Sequence, residues 1–263
     1  MGILNVTPDS FSDGGDYFEP DAAVARALTM IAEGADIVDV GGESTRPGAE
    51  PTPEDEQLRR TIPVIRAIRG RDPDVAISID TRSAAVARRA LEAGADMVND
   101  VSALRDDPEM ADVVAGSEAA VVLMHRRGTS LDMQEGGGPH YEDVIGEIAA
   151  FLQERRDFAA SRGIDRSRII LDPGLGFGKR VEHNLMILKH LDRFVALGQP
   201  VLIGASRKRF LGSVLGIDEP KRRLAGSLAC ATIAAMTGAA ILRVHDVRAT
   251  VDAVRLCSAV HGE

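Results

Sequence analysis

The chain has 263 residues, 44% of them hydrophobic, and a net charge of -9; that is enough to bury one α/β barrel or two small domains. The acidic balance argues against nucleic acid or an anionic membrane as the main partner, though it allows an anionic small molecule whose phosphates meet a local basic cluster. No signal peptide or bilayer-length apolar run is evident, and Cys230 and Cys257 lack metal-ligand spacing, so they read as reduced core residues of a cytosolic protein.

The first six residues, Met1-Gly2-Ile3-Leu4-Asn5-Val6, read as a strand, and residues 7–18 as a polar, glycine-containing loop. A barrel that starts on this strand is expected to lack the leader that covers its bottom. Pro20 opens a helix whose apolar residues Val24, Leu28 and Ile31 keep helical spacing, and Gly34 ends it. Asp36-Ile37-Val38-Asp39-Val40 forms the second strand and closes on Gly41-Gly42-Glu43-Ser44-Thr45-Arg46. Thr52-Pro53 is expected to supply an N-cap and first-turn proline, with Glu54, Asp55 and Glu56 near the positive helix end and a kink at Pro63.

Residues 75–79 form the third strand, ending on Asp80, and a helix over 83–93 leads to Met97-Val98-Asn99-Asp100. A short helix near 108–115 precedes the fifth strand, 119–124, which ends on His125. Residues 126–140 form the longest stretch without regular structure, of a size usual for binding loops or lids. A long helix over 141–162 then feeds Ile169-Ile170-Leu171-Asp172, an apolar strand that stops at once in Pro173-Gly174-Leu175-Gly176-Phe177-Gly178-Lys179. That glycine run is not a phosphate-binding P-loop, because Pro173 stands where the motif needs glycine and Arg180 where it needs Ser or Thr. A helix over 181–196, a strand over 201–204, an Ala-rich helix over 224–237, a strand over 240–244 and a helix from about 248 to 260 complete the chain.

A shared helix-Gly-Ala-strand grammar recurs at Gly34-Ala35, Gly94-Ala95 and Gly238-Ala239. Repeating βα units without a break in composition predict one (β/α)8 TIM barrel over 1–263, with its active site at the C-terminal face of the strands; an open doubly wound sheet is the alternative. Eight strand ends then converge on one mouth carrying Asn5, Glu43 to Arg46, Asp80, Asn99, His125, Asp172, Ser206 to Lys208, Arg243 and His245. Any one of these residues has a bland role as a turn cap or core histidine, but eight polar ends on eight apolar strands make a site. Asp80, Asn99 and Asp172 suit a flat heterocycle bearing amino and ring N–H groups. Arg243, His245 and the Ser-Thr-Arg turn suit phosphate oxygens on an opposite flank. Asn5 is a neutral oxygen donor able to hold magnesium together with phosphate oxygens and water.

The blocks Asn5-Val6-Thr7-Pro8-Asp9-Ser10-Phe11-Ser12-Asp13-Gly14-Gly15 and Asp39-Val40-Gly41-Gly42-Glu43-Ser44-Thr45-Arg46-Pro47-Gly48 resemble the first two signatures of dihydropteroate synthases. Asp172-Pro173-Gly174, Gly176-Phe177-Gly178-Lys179, Ser206-Arg207-Lys208 and Arg243-Val244-His245-Asp246 complete the pattern in family order. Arg209 departs from it, standing where many members carry serine, and the 126–140 loop keeps Met124, His125, Gly128, Met133 and Gln134 of the usual pattern.

The resemblance implies a homodimeric barrel enzyme that joins 6-hydroxymethyl-7,8-dihydropterin pyrophosphate to 4-aminobenzoate. It implies Asn5 as the Mg2+ ligand. Asp80, Asn99, Asp172 and Lys208 would hold the pterin, and Thr45, Arg243 and His245 the pyrophosphate. Phe177, Pro47, Thr45 and the Ser206-Arg207-Lys208 turn would form the aminobenzoate side, with Asp80, Asp172, Lys208, Arg243 and His245 as the catalytic set. The loops 9–13 and 44–48 would close over the site. Competing readings are a pterin-dependent methyltransferase barrel, a Schiff-base aldolase using Lys208 or Lys179, and a non-catalytic pterin-binding paralogue.

Overall fold

In the computed structural model, the described residues are 1–7, 20–43, 52–128 and 140–262. Short apolar runs form parallel strands, mostly buried on both faces, with the last one half-buried: β1 (Gly2–Asn5), β2 (Ile37–Gly41), β3 (Ala76–Asp80), β4 (Met97–Asp100), β5 (Ala120–Met124), β6 (Ile169–Asp172), β7 (Leu202–Ile203) and β8 (Ile241–Leu242). Strands β1 to β6 lie side by side in chain order, and β7 pairs with β8. Two single bridges join these sheets. Leu171 meets Val201, and Gly2 meets Val244, both in parallel. The Ile3 N–H donates to the Val244 carbonyl, and the Val244 N–H to that of Met1, each at 2.9 Å. The sheet therefore returns to its own first strand, forming the (β/α)8 barrel.

Register divides the side chains between two cores. Leu4, Val38, Val40, Ile77, Ile79, Val98, Val121 and Leu171 pack outward into the main apolar cluster. It includes residues of α1 (Pro20–Ala32), α2 (Glu54–Arg71), α3 (Ala84–Glu92), α4 (Met110–Ala115), α5 (Val144–Ser161) and α6 (Val181–Lys189). Met1, Met97, Val122, Ile170 and Leu202 form a second, smaller cluster, which is the barrel's interior plug. One pleat beyond Met97 and Ile170, on the same inward face, come Asn99 and Asp172, and Asp80 holds the place beside Asn99 on β3. The apolar plug is thus the floor on which the polar strand ends stand.

Several boundaries differ from the expectations. Helix α2 starts at Glu54, not in the Thr52-Pro53 turn. No side chain caps it, and the Pro53 carbonyl accepts from Glu56 and Gln57. It runs without interruption through Pro63. The helix expected over 181–196 is two pieces, α6 and α7 (Asp192–Val195), and α8 (Arg209–Leu215) occupies a stretch without an expected element. The last two helices, α9 (Leu224–Met236) and α10 (Val247–His261), fall close to where periodicity puts them. Both cysteines are free and buried.

Candidate active site

Asn99, Asp172, Lys208 and Arg243 line one cavity at the C-terminal ends of the strands, walled by Val101, Met124, Leu175 and Phe177. Four of the residues expected at the mouth, and the aromatic ring expected beside them, therefore share one space. Asp80 joins them through Arg243, whose Nη2 donates to Asp80 Oδ2 at 2.6 Å. Burial pushes the Asp80 carboxyl up to about 7; Arg243 pulls against that, while Asp39, Glu43 and Asp100 add to it.

Asp39 belongs to the same cluster of side chains, and the strand-end argument missed it. It lies in the middle of β2 and is fully buried. Its Oδ2 accepts from Arg243 Nε at 2.6 Å and from Asn99 Nδ2 at 3.2 Å. The available signal was an acid inside an apolar strand, which is tolerated only when paired. Burial opposes the charge of Arg243, but Asp39 and Asp80 outweigh it and hold the guanidinium well above its ordinary value. This corrects the picture of acids on one flank and cations on the other. Arg243 stands between the acids, and two of its donors are already engaged.

Lys208 follows the turn after β7 and places Nζ 3.9 Å from the Phe177 ring centroid, a cation–π contact. Burial, then Arg243, push its amine down to about 8, with Asp172 and Asp80 opposing. Burial raises Asp172, against the Gly174 N–H, which donates to Oδ1 at 2.6 Å, and against Lys208, Lys179 and Arg243.

The loop carrying Phe177 is clamped from below. Lys179, 7% exposed, lies 3.0 Å from His125 Nδ1, 3.2 Å from the His125 carbonyl and 3.0 Å from the Phe177 carbonyl. Three acceptors within reach of its Nζ hold Lys179 in place as the clamp of this loop, and burial pushes its amine well below the ordinary value. Burial followed by Lys179 and Arg127 pushes His125 down to about 2, leaving a neutral imidazole. Tyr141 adds a hydrogen bond to the Gly178 carbonyl at 3.0 Å.

His245 and Ser206 lie side by side, with Ser206 Oγ 3.0 Å from Nδ1. Ser206, expected on the aminobenzoate side, spends its hydroxyl on His245. Glu43 is held by Arg82, at 2.8 Å from Nη2 and 3.3 Å from Nε, and so braces the rim.

The Asn5 amide oxygen and the Asp80 carboxylate approach the same side of Gly41, the residue that pairs with both: a Cβ built there would lie 3.7 Å from Asn5 Oδ1 and 3.8 Å from Asp80 Oδ2. Among the described residues no group of three His, Cys, Asp or Glu could hold a metal. A lone hard oxygen donor without a carboxylate cage fits an ion such as Mg2+, which keeps water and takes phosphate oxygens. It does not fit zinc. Thr45 and Pro47, the loops 9–13 and 44–48, and Met133 and Gln134 lie outside the described residues.

Comparison with known proteins agrees with this geometry. The family model described as "Pterin binding enzyme" matches residues 1–245. Dihydropteroate synthase of Synechocystis sp. is 47% identical over 260 residues, covering 99% of this chain and 89% of that protein. The chain also resembles Xanthomonas albilineans dihydropteroate synthase solved with 4-aminobenzoic acid, at 49% identity and TM-score 0.92, covering 100% of this chain and 92% of that one. The same enzyme in complex with 7,8-dihydropteroate gives 46% identity and TM-score 0.90, with 100% and 93% covered. An amide and an acid lining one cavity, an arginine locked between two buried acids and full-length similarity to these enzymes agree: the chain belongs to the pterin-binding enzyme family, as one of its dihydropteroate synthases.

Proposed function

We propose that the cavity joins 4-aminobenzoate to 6-hydroxymethyl-7,8-dihydropterin pyrophosphate, giving 7,8-dihydropteroate and pyrophosphate, and that residues 1–263 act as one catalytic unit. The observation that carries this reading is the convergence of Asn99, Asp172, Lys208 and Arg243, with Phe177, on one cavity. Asp172 and Asn99 hold the ring's N–H and amino groups, and Asp80 fixes Arg243 beside them. Asp172 also favours the electron-poor ring as the methylene C–O bond breaks and its electron pair leaves with the diphosphate. Lys208 stands at the pterin with Asp172 and Phe177, and His245 meets the leaving group. The aromatic amine then gives its lone pair to the methylene carbon and releases a proton to solvent. Phe177 forms the aminobenzoate side.

Mg2+, held by the Asn5 amide oxygen and phosphate oxygens, would supply positive charge for the diphosphate. The test of the whole reading is pyrophosphate release on mixing the pterin pyrophosphate, 4-aminobenzoate and Mg2+. Release that needs all three supports it, and no release overturns it.

Asp172→Asn is expected to weaken pterin pyrophosphate binding by about 1–3 kcal/mol, the range for losing a buried charged acceptor. Calorimetric titration checks this, and unchanged affinity removes Asp172 from the pterin role. Lys208 predicts a pH limb. Its ammonium is present below about pH 8 and lost above it, so affinity for the pterin pyrophosphate falls as pH rises through 8 and then levels off. Lys208→Arg, charged throughout, abolishes that limb. Stability moves the other way: the unfolded lysine keeps a proton that the folded one has shed, so Lys208 makes the fold more stable as pH rises from 8 toward 10.5.

We also propose that a second copy of the chain covers the exposed apolar residues Ile233 and Met236 on α9 and Leu256 and Val260 on α10, which are 45%, 50%, 68% and 70% exposed. Sedimentation at micromolar concentration is expected to show a dimer, and Ile233→Glu with Met236→Glu a monomer. No helix of the described residues is long and apolar enough to cross a membrane, which fits a cytoplasmic enzyme acting on small molecules.

A further inference from the structure

Ser206 opens the turn after β7 and His245 follows β8, so two paired strands deliver them side by side. Ser206 Oγ accepts the His245 backbone N–H at 3.2 Å and lies 3.0 Å from Nδ1 of the same residue. Ser206 is buried, and its hydroxyl carries one proton. A backbone N–H only donates, so that contact uses a lone pair. The hydroxyl's one remaining partner among the described residues is Nδ1. Giving the proton to Nδ1 satisfies the buried O–H and moves the imidazole's own proton to Nε2.

The turn holding Ser206 is itself fixed. Arg207 takes a left-handed φ of 59°. Its N–H donates to Ser227 Oγ at 2.9 Å, and its carbonyl accepts from Arg223 Nη1 at 3.0 Å. The Arg207 guanidinium grips both oxygens of Asp246, at 3.0 and 2.5 Å. Asp246 adjoins His245 in sequence and favours the charged form of the imidazole, but it is ion-paired to Arg207 and does not outweigh the groups opposing it. The other charged groups bearing on the ring, Arg207, Arg243 and Lys208, are all cationic, and with burial as the leading cause they push His245 down to about 3.

We propose that Ser206 is a positioning residue that holds His245 as the neutral tautomer protonated on Nε2, so that the ring offers one N–H donor to the leaving diphosphate. The inference rests on the reading of His245 as a diphosphate ligand. It gives that ligand a specific chemistry: a neutral donor stabilises the departing anion without the charge that would retain it after reaction.

Long-range proton–nitrogen correlation spectra of 15N-labelled protein test it, with the His245 signals assigned by their loss in His245→Gln. Between pH 6 and 8 the unmodified protein is expected to show a protonated Nε2 and a bare Nδ1. Ser206→Ala loses this single-tautomer pattern, and Ser206→Thr keeps it. Inorganic pyrophosphate then binds Ser206→Ala about threefold to tenfold more weakly, as for one lost hydrogen bond, and Ser206→Thr regains the affinity. An imidazolium or a protonated Nδ1 in the unmodified protein overturns the proposal, as does an unchanged pattern in Ser206→Ala. A lost pattern with unchanged pyrophosphate affinity overturns the diphosphate role of His245 instead, so the two failures are told apart.

Discussion

Arg243→Met is expected to lower the unfolding free energy by about 3–5 kcal/mol, the range for leaving buried charge without its partner. The substitution keeps most of the side chain's volume and removes the guanidinium that joins Asp39 and Asp80 at 2.6 Å each. Asp39 is fully buried, and its Oδ1 already has no partner among the described residues. Without Arg243 its Oδ2 keeps a single donor, Asn99. A second change separates charge from packing. Asp39→Asn in the Arg243→Met background removes the uncompensated charge and is expected to recover at least half of the loss, whereas Asp39→Asn alone destabilises. Urea unfolding of the four proteins closes the cycle, with a shifted midpoint at unchanged slope as the signature of a stability effect. The deficit of Arg243→Met also grows as pH rises from 5 to 8, because Asp80, already raised by burial, holds without the guanidinium a proton that the unfolded chain has lost. A loss under about 1 kcal/mol, or a further loss on adding Asp39→Asn, sinks the account.

How legible such a site is in sequence depends on where its side chains sit along a strand. Asp80, Asn99 and Asp172 end apolar runs, so each marks a place where a buried strand meets a polar mouth, and the barrel follows from repeating that grammar. Asp39 sits two residues before its strand ends, among Ile37, Val38 and Val40, where the acid reads as part of a motif and its partner 204 residues away is invisible. Ser206 is misplaced for a related reason: sequence puts it beside Lys208, whereas closure of β7 on β8 puts it beside His245. Helix α8 escaped because Arg209-Phe210-Leu211-Gly212-Ser213-Val214-Leu215 is too short for periodicity to show and has no side-chain cap. Its one signal is Gly216, which ends it in the left-handed conformation. The break between α6 and α7 falls at His190-Leu191, with no glycine or proline to announce it.

Gly174→Ala is expected to cost about 3 kcal/mol of stability and to disable the site, because the loop after β6 is pressed onto the chain after β5. Gly174 has φ of 70°, and a Cβ there would lie 1.9 Å from the His125 carbonyl oxygen. That oxygen belongs to backbone and cannot swing aside. It is held by the buried Lys179 Nζ at 3.2 Å, and the His125 N–H in turn donates to the Asp172 carbonyl at 2.9 Å. Pushing the loops apart therefore disturbs Asp172, whose Oδ1 loses the Gly174 N–H, and Phe177, whose carbonyl shares the same lysine. Gly216 supplies the control. Its φ is 67°, so alanine there meets the same left-handed penalty, but nothing lies within 4 Å of its missing Cβ. Gly216→Ala is expected to cost only about 1 kcal/mol with turnover intact. The difference between the two unfolding curves then measures the close approach of the loops apart from backbone strain. Equal costs at both positions, or full activity in Gly174→Ala, would show that the clamp around Lys179 does not set the geometry of Asp172 and Phe177.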